Sequence, residues 1–109
     1  MPDLDSTRLD TTADGFLVDS AAWNENVAVR LAATIPLDLT EAHWEIVRFI
    51  RHYYHRFQHL PNTRMFVKAV QKELGEDKGN SRYLHGLFPE SPLKFACLVA
   101  GLPKPPGCV

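Results

Sequence analysis

The sequence is poor in cysteine, and it lacks any apolar run that approaches the length of a membrane span. A transmembrane helix needs about 18 or more consecutive apolar residues, and every apolar segment here is much shorter. The N-terminus, MPDLDSTRLD, is acidic and polar, which is unlike a secretory signal peptide. We therefore expect a cytoplasmic protein. In that reducing compartment a pair of cysteines is more often catalytic, redox-active or metal-binding than structural.

The signatures of a self-contained enzyme are also missing. The sequence has no phosphate-binding glycine loop, no paired-carboxylate signature and no nucleophile–base triad. His52, His55 and His59 share one predicted helix, but no carboxylate lies between them to complete a metal site. Two cysteines alone do not form a structural zinc site, which usually has four ligands. We expect solvent-facing histidines, no metal site and no cofactor.

The net charge of -1 hides a strong asymmetry along the chain. Residues 1–45 hold nine acidic and two basic residues, whereas residues 48–72 hold six basic residues and no acidic one. This basic segment could face nucleic acid, an acidic protein partner or an anionic sulfur species. The alternative is an ordinary solvated helix face.

Apolar periodicity and capping residues predict a mainly α-helical protein, a small orthogonal bundle of about five helices. The 109 residues are enough for one domain with a modest core. The predicted helices run from the Ser20 cap to Ala33, over 41–59 after Thr40, from the Asn62 cap to Leu74, over 81–88, and over 92–100. An apolar stripe from Trp44 to Phe57 on the second helix is expected to be core.

The two ends of the chain carry different signals. Asp14-Gly15, flanked by short β-compatible runs, predicts an N-terminal β-hairpin over residues 7–19. At the other end, residues 102–109 read LPKPPGCV. Proline-rich segments are extended spacers, and chain ends are poorly ordered unless they are tied down. We therefore expect a single domain over 1–101 and a mobile C-terminal arm over 102–109.

The arm places a thiol close to its tip, because Cys108 is the next-to-last residue. At about 3.1 Å per residue the arm can extend roughly 20 Å, enough to enter the active site of another protein. The thiolate is the reactive form, and the adjacent C-terminal carboxylate disfavours it, so a cation would have to help. Lys104 on the arm is one candidate. Arg64 and Lys68, which share a face of the third helix, are the others.

Cys97 lies inside the last predicted helix, and the loop between the two cysteines encloses ten residues. Such a loop can bring the two α-carbons within the roughly 4.4–6.8 Å that a disulfide requires. Closing it stabilises the fold by only about 3 kcal/mol on the chain-entropy model, which suits reversible chemistry. Cys97 could attack a persulfide on Cys108, or both thiols could hold one sulfur between them. Cys97 could also be a small buried hydrophobe, and Cys108 an incidental thiol.

Several short motifs cluster in the C-terminal third. They are GNSRYL at 79–84, LFP at 87–89, the Pro92-x-Lys94 step, and AGLPKP before the penultimate Cys108. The earlier segments DGFL, LTEAHWEIVRFIR and TRMFVKAV fit the same pattern. With these motifs the chain resembles the DsrC/TusE family of sulfur-carrier proteins over nearly its whole length.

The resemblance implies a small helical domain with an N-terminal hairpin and a flexible arm, in which Cys108 accepts sulfur as a persulfide. It also implies one of two roles. The TusE type relays sulfur toward tRNA 2-thiouridine synthesis and can work with the penultimate cysteine alone. The DsrC type has a second cysteine eleven positions earlier and works in dissimilatory sulfur metabolism. Cys97 has that spacing, which favours the DsrC type.

On this basis we expect a sulfurtransferase-type relay protein that acts as a protein co-substrate. Its implied partners are a sulfur-donor sulfurtransferase and an acceptor such as a dissimilatory sulfite reductase or a tRNA-thiolation enzyme, with a membrane redox complex as a further partner. A different hypothesis is a helix-turn-helix DNA-binding regulator, because Leu60-Pro61 joins two predicted helices and the second is basic. The net charge of -1 argues against it, since phosphate contacts dominate DNA affinity.

Overall fold

The computed structural model describes residues 9–106, so Cys108 and the first eight residues lie outside the described part. The predicted mainly helical architecture is confirmed there. The five α-helices are α1 (Glu25–Ala33), α2 (Glu41–Phe57), α3 (Thr63–Leu74), α4 (Ser81–Leu87) and α5 (Pro92–Val99). Within residues 9–106, no helix has the length and apolar character that a membrane crossing needs.

The last helix, α5, lies at the centre of the core. It packs against α1, α2 and α4. Six of its eight residues are buried: Pro92, Leu93, Ala96, Cys97, Leu98 and Val99. A helix that is apolar on nearly all sides is stable only when its neighbours cover it. The helix that carries one of the two cysteines is therefore also the element against which α1, α2 and α4 pack.

The expected Ser20 cap is wrong. A short 3-10 turn forms at 20–22, Trp23 is extended, and α1 begins only after Asn24. The Asn24 side chain accepts the backbone N–H of Val27 at 2.9 Å, which satisfies one of the unpaired donors at the start of the helix. The break leaves Trp23 outside both helical segments.

The N-terminal β-hairpin expected over residues 7–19 is not supported, since residues 9–106 contain no strand. A single antiparallel bridge joins Thr11 and Leu17. Phe16 and Leu17 are both buried, with 1% and 5% of their surface exposed. Consecutive side chains of a strand point to opposite faces, so both faces of this short segment are covered by the core. The Asp19 side chain caps the 3-10 turn that begins at Ser20, so the segment after Leu17 is too short to form a second strand.

The expectation that the α2 stripe is core as far as Phe57 is wrong at its last turn. Val47 and Ile50 are fully buried, but Phe57 is 48% exposed. At 1.5 Å per residue α2 is about 25 Å long and α5 about 12 Å, so α5 covers only part of α2. Gln58, in the left-handed region at φ 58°, then ends α2.

A buried histidine fixes the start of α2. His43 is 6% exposed. Its Nδ1 accepts the backbone N–H of Thr40 at 3.0 Å, so Nε2 carries the proton and donates to the Leu87 carbonyl at 2.6 Å. The ring also meets Phe88 edge-on, with 5.2 Å between the ring centres. The His43 side chain thus joins the start of α2 to the end of α4.

Candidate functional site

The candidate site lies where α5 ends and the C-terminal arm begins. Cys97 occupies the last turn of α5, as the sequence predicted, and none of its surface is exposed. The helix starts with Pro92 directly after Ser91, where the missing N–H of proline costs no hydrogen bond. This short apolar helix places the sulfur inside the protein, two residues before the helix ends.

The backbone after Cys97 closes into a Schellman motif. Gly101 has φ +69° and donates its N–H to the Leu98 carbonyl at 3.2 Å. Leu102 donates its N–H to the carbonyl of Cys97 at 3.0 Å. These are the two hydrogen bonds that define the motif. The first residue of the arm is therefore bonded directly to the backbone of Cys97.

Two side chains from other parts of the chain complete the end of α5: Trp23, which precedes α1, and Arg51 of α2. The indole N–H of Trp23 donates to the Val99 carbonyl at 2.8 Å, and Nη1 of Arg51 donates to the Ala100 carbonyl at 2.7 Å. The guanidinium of Arg51 lies 4.2 Å from the centre of the Trp23 ring. The last carbonyls of a helix have no partner inside it, yet all four from 97 to 100 have a donor here. We call Trp23, Arg51 and Gly101 the arm anchor.

The charge of Arg51 suits this position. Burial lowers the pKa of the Arg51 guanidinium, because desolvation disfavours the charged form. Its ordinary value is so high that the group stays a cation at neutral pH. A cation is favourable at the negative end of a helix dipole. Sequence reasoning counted Arg51 only as part of the basic segment and missed both it and Trp23 as groups that hold the arm.

The first residues of the predicted arm pack against the body of the protein. Leu102 is fully buried and Pro105 is also buried. Packing therefore continues past Gly101, where the domain was predicted to end, because Leu102 belongs both to the Schellman motif and to the core. The mobility of the arm beyond residue 106 stays a prediction, since Cys108 is outside the described residues.

The three cations expected to help Cys108 lie in two places. Nζ of Lys104 is 3.3 Å from Oδ2 of Asp14, so this lysine pairs with the N-terminal loop. Arg64 and Lys68 are exposed on α3, and Lys68 lines a groove between α2 and α3. The structure does not place these three side chains together. Their action on Cys108 stays a prediction.

The three histidines of α2 and the linker after it are exposed, as expected: His52, His55 and His59. In the described part of the chain, no three His, Cys, Asp or Glu side chains are close enough together to hold a metal ion.

Nearly the whole sequence matches one family model, described as DsrC like protein, over residues 3–109. The chain belongs to the DsrC-like family of sulfur-relay proteins. The sulfurtransferase TusE of Pectobacterium atrosepticum is 49% identical to it over 100% of both chains. The DsrC structure of Allochromatium vinosum has a TM-score of 0.87 and 45% identity, covering 99% of this chain and 96% of that one.

A second solved structure gives the same result. It is the oxidized γ-subunit of dissimilatory sulfite reductase (DsrC) from Archaeoglobus fulgidus, with a TM-score of 0.81, 44% identity and 95% coverage of each chain. The family expected from the sequence motifs is thus confirmed, and with it the general function of a sulfur carrier.

Proposed function

We propose that this protein carries sulfane sulfur as a persulfide on Cys108 and that Cys97 resolves the persulfide. The observation that carries the proposal is the bond between the Leu102 N–H and the Cys97 carbonyl. It fixes the start of the arm beside the second cysteine. From Leu102 to Cys108 there are six further residues, which span at most about 20 Å and can also fold back.

The loading step is an exchange without net oxidation. The Cys108 thiolate attacks the terminal sulfur of a persulfide on the donor protein, and the donor thiolate leaves. The bond that forms is between Sγ of Cys108 and the transferred sulfur, and the bond that breaks is the sulfur–sulfur bond of the donor. Lys104, Arg64 and Lys68 are the cations that would favour the Cys108 thiolate in this step.

The resolving step is the DsrC-like part of the proposal. The Cys97 thiolate attacks Sγ of the Cys108 persulfide, a disulfide forms between the two cysteines, and hydrosulfide leaves. The sulfane sulfur is reduced to sulfide while the two thiols are oxidised to the disulfide. Cys97 is completely buried, and a buried thiol is unreactive while it is shielded, so this step requires the arm to open a path to the Cys97 sulfur at the end of α5. The arm is the group best placed to reach it.

A TusE-like role is the second candidate, favoured by the full-length identity with a sulfurtransferase TusE. In that role Cys108 passes its sulfur to an acceptor thiolate for tRNA thiolation, and Cys97 takes no part. The DsrC-like role would engage an acceptor such as dissimilatory sulfite reductase, and then a membrane redox complex that reduces the disulfide. Both roles share the loading step on Cys108, and both suit a cytoplasmic protein.

Intact-mass measurement after incubation with a persulfide donor tests the two steps separately. We expect an increment of about 32 Da on the Cys97→Ser variant and none on Cys108→Ser. The wild-type protein should instead lose about 2 Da as it forms the disulfide, with release of sulfide. An equal increment on wild type and Cys108→Ser would refute the carrier. A stable persulfide on the wild type, without sulfide release, would leave only the TusE-like role.

A further inference from the structure

An open groove of about 630 Å³ lies between α2 and α3, and Cys97 is not among its lining residues. Its floor is aromatic. The rings of Tyr53 and Phe57 are 4.7 Å apart between centres, and Phe49 is 6.5 Å from the buried ring of Phe66, so the floor is held by the core. The groove is therefore preformed.

Two large hydrophobic side chains in the groove lining are exposed to solvent. Phe57 is 48% exposed and Met65, which faces it from α3, is 50% exposed. These are two of the four large hydrophobic side chains that are exposed in residues 9–106. Aromatic residues and methionine are enriched at protein–protein interfaces, where methionine adapts to the shape of the partner.

Cations line the same groove. Arg56, Lys68 and Lys72 contribute three positive charges, whereas Glu73 is the single carboxylate in the lining. Among the described residues, no carboxylate lies within ion-pair distance of these three cations. Three of the six cations of the basic segment thus line one groove, where no ion pair in the described part of the chain neutralises them.

We propose that this groove binds an acidic amphipathic helix of a partner protein. Apolar side chains of that helix would cover Phe57 and Met65, and its carboxylates would pair with Lys68 and Lys72. A groove between two helices is a common receptor for such a helix. Its positive rim selects for negative charge on the partner and speeds their encounter.

A nucleic acid fits the same surface less well. The chain carries a net charge of -1, and nine acidic residues lie within its first 45. That charge would repel a long polyanion, whose affinity depends on many phosphate contacts. A short acidic helix, by contrast, would place its negative charges only in the groove, beside the cations. The two exposed apolar side chains also match an apolar helix face better than a sugar–phosphate backbone.

A synthetic helix of about 15 residues tests the proposal, since shorter helices are marginal in water. The probe has leucine on one face and glutamate elsewhere, with a fluorophore for anisotropy. Its control replaces every glutamate by lysine. We expect saturable binding of the acidic peptide alone, with amide shift changes in α2 and α3 at the groove.

Matched variants separate the groove from general charge effects. Lys68→Glu combined with Lys72→Glu should weaken binding about tenfold or more, because like charges then face each other. Met65→Ser should weaken it about fivefold through lost apolar contact. Arg82→Glu and Val29→Ser, two exposed positions outside the groove lining, should leave the affinity unchanged.

Several outcomes would overturn the proposal. They are no saturable binding, equal binding of the lysine peptide, or equal effects of the groove variants and their controls. Stronger binding of a single-stranded oligonucleotide would assign the groove to nucleic acid. A wild-type dimer in solution that Met65→Ser abolishes would assign it to a second copy. Sulfur loading of Cys108 is measured independently, so neither proposal stands or falls with the other.

Discussion

Replacing Gly101 by alanine tests whether the arm anchor holds the end of α5. Gly101 has φ +69°, a conformation that costs an L-residue about 1–2 kcal/mol. An added Cβ would also lie 2.5 Å from Cδ1 and 2.9 Å from Cγ of Trp23. Since Trp23 is bonded to the Val99 carbonyl at 2.8 Å, the indole cannot retreat without breaking that bond. An unpaired buried carbonyl costs a further 1–3 kcal/mol or so.

The sum predicts a loss of about 2–5 kcal/mol in the free energy of unfolding for Gly101→Ala. Gly75→Ala is the matched control. Gly75 ends α3 with φ +97°, but an added Cβ meets no atom within 4 Å. Backbone strain alone should therefore cost about 1–2 kcal/mol there. The difference between the two variants measures the contact with Trp23.

Urea unfolding followed by circular dichroism gives both free energies, and hydrogen exchange at Leu102 reports the Schellman bond directly. We expect faster exchange at Leu102 in Gly101→Ala and unchanged exchange in Gly75→Ala. Equal losses of stability in the two variants, or an unchanged Leu102 amide, would refute the anchor.

The remaining predictions concern substitutions of Gly79, His43 and Arg51. Gly79→Ala should cost about 4 kcal/mol, because an added Cβ would overlap the backbone of Gln71, which cannot turn aside as a side chain can. His43→Ala should cost about 3 kcal/mol in urea unfolding by leaving buried polar groups unpaired, whereas the exposed His55→Ala should stay within about 0.5 kcal/mol. Arg51→Lys should cost about 1–2 kcal/mol and accelerate exchange at the α5 end, because lysine has no planar group to stack on an indole; unchanged exchange would contradict this.

Local signals predicted most of the helices. The Asn62 cap and Gly75 bound α3 where the sequence placed it, because its side-chain cap and its glycine end act within a few residues. The predicted family also follows from contiguous motifs. These features depend on residues that are close together in the chain, so they can be identified from one sequence.

The features that the sequence missed depend on contacts between distant residues. Trp23 leaves its predicted helix to bond a carbonyl 76 residues away. Phe16 and Leu17 pack into the core in place of a second strand. Arg51 belongs to the basic segment, yet its side chain binds the Ala100 carbonyl at the end of α5. Periodicity records which face of a helix is apolar, but it does not record which carbonyl needs a donor. The arm anchor could therefore be found only from the fold.

Under the proposed function, the packing of Leu102 and Pro105 limits how far Cys108 can reach. Only two residues separate the buried Pro105 from Cys108, and the three residue steps between them span about 10 Å at most, half the reach expected for an arm free from Gly101. A partner whose sulfur lies deeper must first release Pro105 and the pair between Lys104 and Asp14. An exposed pair of this kind contributes about 1 kcal/mol or less, so docking can open it. The Schellman bonds and the anchor hold Leu102 much more firmly, so we predict that the arm bends after Leu102 and that Cys97 keeps its place.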